Sequence, residues 1–192
     1  MAETRPSITG IDLDGSRYTV EQSLIRNKYA AYDGDGNVVF RGKQKLLKMK
    51  EEFPFVDADG REVFTVKAGG IIDVAGNYAI IDADTGEEVA ILDNDFSIFR
   101  DQWTVRAPDN TEIAKITSRG ALVTLARHYI PVVGPLIPHK YEITDASGGH
   151  VGNIDGQISL RDRYEITVDD ASDVPTDAVV AAAMVIDAIQ NN

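Results

Sequence analysis

The stretch Lys28-Tyr29-Ala30-Ala31-Tyr32-Asp33-Gly34-Asp35-Gly36-Asn37-Val38-Val39-Phe40 decides the fold. An aromatic residue opens an alternating run, a turn rich in Asp and Gly follows, and a second alternating run leaves it, which is how a β-hairpin reads. Glycine supplies positive φ without a Cβ clash, and aspartate accepts hydrogen bonds from the backbone amides that follow it. The unit recurs. Tyr29 lies six residues before Asp35, Phe53 six before Asp59, Tyr78 six before Asp84 and Trp103 six before Asp109, so the turn aspartates advance by 24, 25 and 25 residues. Tyr141 and Tyr164 stand six before Ser147 and Asp170. Flanking runs such as Val63-Phe64-Thr65-Val66 and Tyr141-Glu142-Ile143-Thr144 are rich in strand formers. With the opening run Tyr18 to Leu24, the period predicts about twelve strands at barrel or sandwich spacing.

The end of the chain changes period. Ala178 to Ile189 holds a single charge, Asp187, and Thr176 or Asp177 precedes it as an expected N-cap, which predicts a helix. At 1.5 Å per residue it spans about 18 Å, too short for a bilayer, and being apolar almost all round it must be surrounded by protein. A sheet closed around the helix meets both burial demands. The expectation is therefore a mainly β protein: a closed antiparallel barrel of about twelve strands enclosing a hydrophobic C-terminal helix at 178–190. Residues 1–16 read as a flexible N-terminal leader and 17–192 as one domain.

Composition narrows the function. The chain has 192 residues, 43% of them apolar, enough for one real core. Asp and Glu outnumber Lys and Arg 31 to 19, and Lys contributes only 8. The net charge of -12 repels phosphate backbones, so no nucleic-acid partner is expected. No apolar run reaches the length of a membrane span, and Met1 to Gly10 lacks the apolar core of a signal peptide. A cytoplasmic protein, at most peripheral to a membrane, is the expectation. Without cysteine there is no thiolate site or disulfide, and imidazole chemistry is confined to His128, His139 and His150.

The repeated hairpins, the element Ser159-Leu160-Arg161-Asp162-Arg163-Tyr164-Glu165-Ile166 and the apolar terminal helix resemble the LURP-one-related family over residues 18–190. Members of that family look like the tubby C-terminal domain and the phospholipid scramblases. The resemblance implies a twelve-stranded barrel threaded by a helix, no established catalytic residues, and a lead toward phospholipid headgroups at a membrane surface. The Asp-rich, Lys-poor composition further resembles that of haloarchaeal proteins.

Two segments stand out as binding candidates. Arg41, Lys43, Lys45, Lys48 and Lys50 place five of the 19 basic residues within ten positions. Continued as a strand, Arg41, Lys43 and Lys45 share a face at roughly 6 to 7 Å intervals, suited to a phosphate-bearing headgroup, or alternatively to guarding a strand edge against aggregation. The second segment, 127–140, carries three prolines and the apolar residues Ile130, Val132, Val133, Leu136 and Ile137. It reads either as a docking surface for a membrane or protein partner, or as a cap over a barrel end. His128 and His139 flank it without further ligands and make a poor metal site.

The aspartate turns lack the glutamate and flanking helices of a calcium-binding EF-hand and read as ordinary turns. No nucleophile with a base, phosphate-cradling loop, metal site or cofactor motif is found. The expected function is a non-catalytic binding or scaffolding module, peripheral to membrane or bound to phospholipid headgroups. The rival reading is a small-ligand carrier or enzyme that uses carboxylates at the barrel mouth.

Overall fold

The computed structural model describes residues 7–11, 13, 15–23, 28–43, 52–69, 77–96, 101–119, 140–157, 163–169 and 174–190. Twelve strands and one helix follow in chain order. The strands are β1 (Arg17–Ser23), β2 (Lys28–Tyr32), β3 (Val38–Lys43), β4 (Glu52–Val56), β5 (Glu62–Ala68) and β6 (Asn77–Asp82), then β7 (Glu88–Phe96), β8 (Asp101–Arg106), β9 (Glu112–Ser118), β10 (Lys140–Asp145), β11 (His150–Gln157) and β12 (Arg163–Val168). The helix α1 spans Thr176–Gln190. Each strand pairs antiparallel with its sequence neighbours, and β12 pairs with β1, so the sheet closes into a barrel. Closure leaves no exposed sheet edge.

The two-strand repeat takes on a spatial meaning here. Its six aromatic residues all stand near the start of an even-numbered strand and turn into the barrel. Tyr29, Phe53, Trp103, Tyr141 and Tyr164 are buried in the core, and Tyr78 packs against it. The sixth unit begins with β12 but has no hairpin of its own, because β1 takes the place of its second strand. The repeat therefore closes on itself around the barrel.

Helix α1 fills the bore. Every residue from Ala178 to Ile186 is buried, so the apolar faces of sheet and helix cover each other. On the β3–β5 side Phe40, Phe55 and Phe64 pack together, with ring centroids 5.1 Å apart for Phe40 and Phe64 and 4.5 Å for Phe55 and Phe64. Gly42 makes this packing possible, since a Cβ there would strike the Phe55 ring.

The helix begins one step earlier than its sequence suggests. Val179 N–H donates to the Pro175 carbonyl at 3.2 Å, so Pro175 occupies the cap position and neither Thr176 nor Asp177 does. Asp177 lies inside the first turn, where an acidic side chain complements the helix dipole. Ile8 is 1% exposed within the core, and Ile11 packs against it. An unpaired charge has no compensation inside the bore, so replacing the fully buried Val185 with Asp should cost about 3–5 kcal/mol. Denaturant melts of wild type and V185D would measure this, and unchanged stability would contradict a central helix.

Candidate functional site

The barrel has two chemically distinct ends. The turns between β2 and β3, β4 and β5, β6 and β7, β8 and β9, and β10 and β11 all lie at one end, together with the entry into α1. At the other end lie the last residues of β1, β3, β5, β7, β9 and β11 and the first residues of β2, β4, β6, β8, β10 and β12.

The turn end is built from aspartates, and the first aspartate of each turn carries the geometry. Asp33 Oδ1 accepts the Asp35 and Asn37 amides at 3.0 and 2.8 Å. Asp57 Oδ1 does the same for Asp59 and Arg61 at 3.0 and 2.9 Å. Asp145 Oδ1 takes Ser147 and Gly149, both at 2.8 Å. In the β8–β9 turn that position is Ala107, so Asp109 takes over by accepting Thr111 N–H at 2.9 Å. These carboxylates are committed to backbone amides, in agreement with the reading of the loops as turns. Hydrogen bonds favour the charged form: the Asn37 amide side chain and the Ser147 hydroxyl, with backbone amides beside them, hold Asp33 and Asp145 below the usual carboxylate range, and Thr111 N–H does so for Asp109.

Two carboxylates differ from the rest because they are buried at this mouth. Asp82, 2% exposed, accepts Asp84 and Thr85 amides through Oδ1 at 2.9 and 2.7 Å, and Thr9 N–H through Oδ2 at 2.5 Å. Asp177, 8% exposed, accepts Ile8 N–H at 2.5 Å and Ala178 N–H at 2.9 Å. The rival reading asked for carboxylates at the barrel mouth, and here are two. Both are occupied by successive amides of the N-terminal segment, and Ile8 fills the space beneath. Asp82 was legible only as a turn residue. Its partner Thr9 lies 73 residues away, and Ile8 lies 169 from Asp177, so no local pattern signals either contact.

The two groups titrate in opposite directions. For Asp82, burial pushes the pKa up, but hydrogen bonds from Thr85 and Thr9 outweigh it and hold the carboxyl low. For Asp177, burial prevails over the bonds from Ile8 and Ala178 and raises the pKa.

At the opposite rim the described cations are matched by acceptors. Lys67 pairs with Glu52 at 2.5 Å, Lys140 with Asp155 at 3.7 Å and Arg163 with Glu21 at 3.7 Å. Arg119 donates to Asn153 Oδ1. Of the sequence candidates, Arg41 is exposed, but its Nη2 donates to the Ala58 carbonyl at 2.9 Å, which directs it toward the turn end. Lys43 ends β3, and its backbone alone is described. Lys45, Lys48, Lys50, Ile130, Val132, Val133, Leu136 and Ile137 lie outside the described residues. The strands that border the two candidate segments, β3 and β4 for one and β9 and β10 for the other, meet the same rim, on opposite sides of the barrel.

A cleft of about 450 Å³ lies where β1, β12 and the β2–β3 turn meet, lined by Thr19, Glu21, Tyr32, Asp35 and Arg163 among others. It is open and polar, and its lining offers no nucleophile held by a base. Among the described residues no group of three His, Asp or Glu is placed to hold a metal ion. Within the same residues no helix is long and apolar enough to cross a membrane.

A closed twelve-stranded antiparallel barrel threaded by an apolar helix defines the tubby-like class of fold. The chain belongs to the LURP-one-related family, whose model matches residues 16–187. An X-ray structure of a protein from Arabidopsis thaliana is similar over 91% of both chains, with a TM-score of 0.56 and 10% sequence identity. At that identity the likeness concerns the fold. No curated protein matches the chain.

The opposite pKa shifts give opposite stability effects. Asp82 contributes stability above its unfolded pKa of about 3.9, and loses it as pH falls through the lower folded value. Asp82→Asn should therefore cost about 1–3 kcal/mol at pH 7, with the difference closing toward pH 2. Asp177 contributes stability below the unfolded value and loses it as pH rises through the raised folded one. Asp177→Asn, which keeps an acceptor and removes the buried charge, should be at least as stable as wild type at pH 7. Urea melts of both variants from pH 2 to 8 would check the two signs.

Proposed function

We propose that this protein is a non-catalytic binding module that meets its partner through the rim opposite the aspartate turns. The observation that carries the reading is the filled bore. Nine successive buried residues of α1 occupy it, from Ala178 to Ile186, and Ile8 closes the turn end, so recognition falls to the outer surface and the rims. A carrier would need an enclosed cavity of about 300 Å³ or more, and a helix in that place competes for the same space.

The partner proposed is an anionic phospholipid surface, in line with the tubby-like fold. Charge separation supports the orientation. Asp33, Asp35, Asp57, Asp59, Asp84 and Asp109 crowd the turn end, whereas Lys43 ends β3 at the other end and Lys45, Lys48 and Lys50 follow it in the sequence. An anionic surface repels the first end and attracts the second. The apolar residues Ile130, Val132, Val133, Leu136 and Ile137 lie in the sequence between β9, which ends at that rim, and β10, which begins there. The alternative occupant of that apolar segment is a protein partner. The Asp-rich surface supports work in a salty, archaeal-type cytoplasm, where the Debye length falls to about 3 Å at 1 M salt and only short-range contacts act.

Vesicle flotation tests this reading. Anionic vesicles should carry wild type at low salt. Replacing Lys43, Lys45, Lys48 and Lys50 with Ala, with Arg41 retained, should abolish that binding. Replacing Ile130, Val132, Val133, Leu136 and Ile137 with Ser should abolish what persists at high salt, because apolar burial is not screened. A wild type that fails to float in either condition would displace the membrane in favour of a soluble protein partner.

A further inference from the structure

We propose that residues 8–11 are an intramolecular ligand of the acidic mouth, a β-turn seated in a slot that accepts a turn-forming peptide and locks the first turn of α1 when filled. Ile11 N–H donates to the Ile8 carbonyl at 3.3 Å, closing a turn in which Gly10, at φ 81°, holds the third position. A turn brings two successive N–H groups, Ile8 and Thr9, to two different carboxylates. Asp177 belongs to α1 and Asp82 to the β6–β7 turn.

A third element closes over the turn. The Arg61 guanidinium from the β4–β5 hairpin lies against Gly10, where a Cβ would collide with it, and it pairs with Asp57 at 3.8 Å and Asp84 at 3.7 Å. Ile8 is 1% exposed beneath. The slot thus has two buried acceptors, an apolar socket and a cationic cover, and the positive φ of Gly10 favours glycine in the turn it holds. The chemistry it selects is a peptide turn with an aliphatic side chain at its first position, two free amides and glycine at its third.

The consequence is mechanical. Ala178 to Ile186 touch the barrel through apolar contacts, which are strong but non-directional. Ile8 N–H to Asp177 is a directional tie from the N-terminal segment to the helix, and Thr9 to Asp82 anchors that tie to the sheet. Emptying the slot therefore loosens the helix N-terminus before it loosens the barrel.

Hydrogen–deuterium exchange on the full chain tests the proposal. Ile8→Asp empties the socket, and Gly10→Val disrupts the turn without touching the core, so either can report if the other fails to fold. Amides of Val179 to Ala183 should exchange at least ten times faster, with those of β8 to β10 unchanged. A synthetic Ser7–Leu13 peptide at millimolar concentration should restore helix protection in the Ile8→Asp chain, and a peptide N-methylated at Thr9 should not. Equal acceleration across helix and strands, or none anywhere, would overturn the lock. Helix-selective loosening that the peptide leaves unrestored would overturn the slot as a peptide site. Flotation of the same variants separates this proposal from the membrane reading, because the slot lies at the end turned away from the proposed vesicle contact.

Discussion

The constraint on which the structure depends is that an apolar bore admits only a segment with no unmet backbone hydrogen bonds. A helix satisfies its N–H and C=O groups internally, whereas a loop in that position would leave them orphaned. Apart from Met184, the run from Ala178 to Ile186 offers small and β-branched side chains, slim enough to fit a twelve-stranded barrel already lined with Phe, Tyr and Trp. Sheet and helix each solve the other's exposure, and neither has a stable alternative in water. The aromatic residues of the even-numbered strands surround the helix from the far rim, and the helix enters from the turn end.

The two ends follow from this arrangement. Hairpins that must turn tightly use aspartate as an acceptor for their own amides, and five of them placed side by side make an acidic end. The remaining chain crossings join strand ends at the other rim because successive strands alternate in direction. The acidity of the turn end is thus a by-product of hairpin chemistry.

The turn end is closed by a segment of the chain's own beginning. Asp82 and Asp177 resemble the acidic pair expected of a ligand site at a barrel mouth, yet their lone pairs face backbone N–H groups and an isoleucine. A buried carboxylate without such donors would be costly, and the amides of Ile8 and Thr9 would be equally costly to bury unmatched. The mouth and the segment therefore stabilise each other, in the way a site and its ligand do.

The sequence made the strand number, the hairpin period and the central helix legible, because each is written in local spacing. Six aromatic residues, five turns and one all-round apolar run suffice when side-chain direction alternates along a strand. It also separated the basic and apolar segments from an acidic background. Tertiary structure was needed to show that the sixth repeat borrows β1 as its partner and that Arg41 bends to the β4–β5 turn. It alone decided that Ile8 reaches the core and that Asp82 and Asp177 meet one turn of the chain. Those contacts join residues 73 and 169 positions apart, and closure of the barrel, which no local period encodes, is what brings them together.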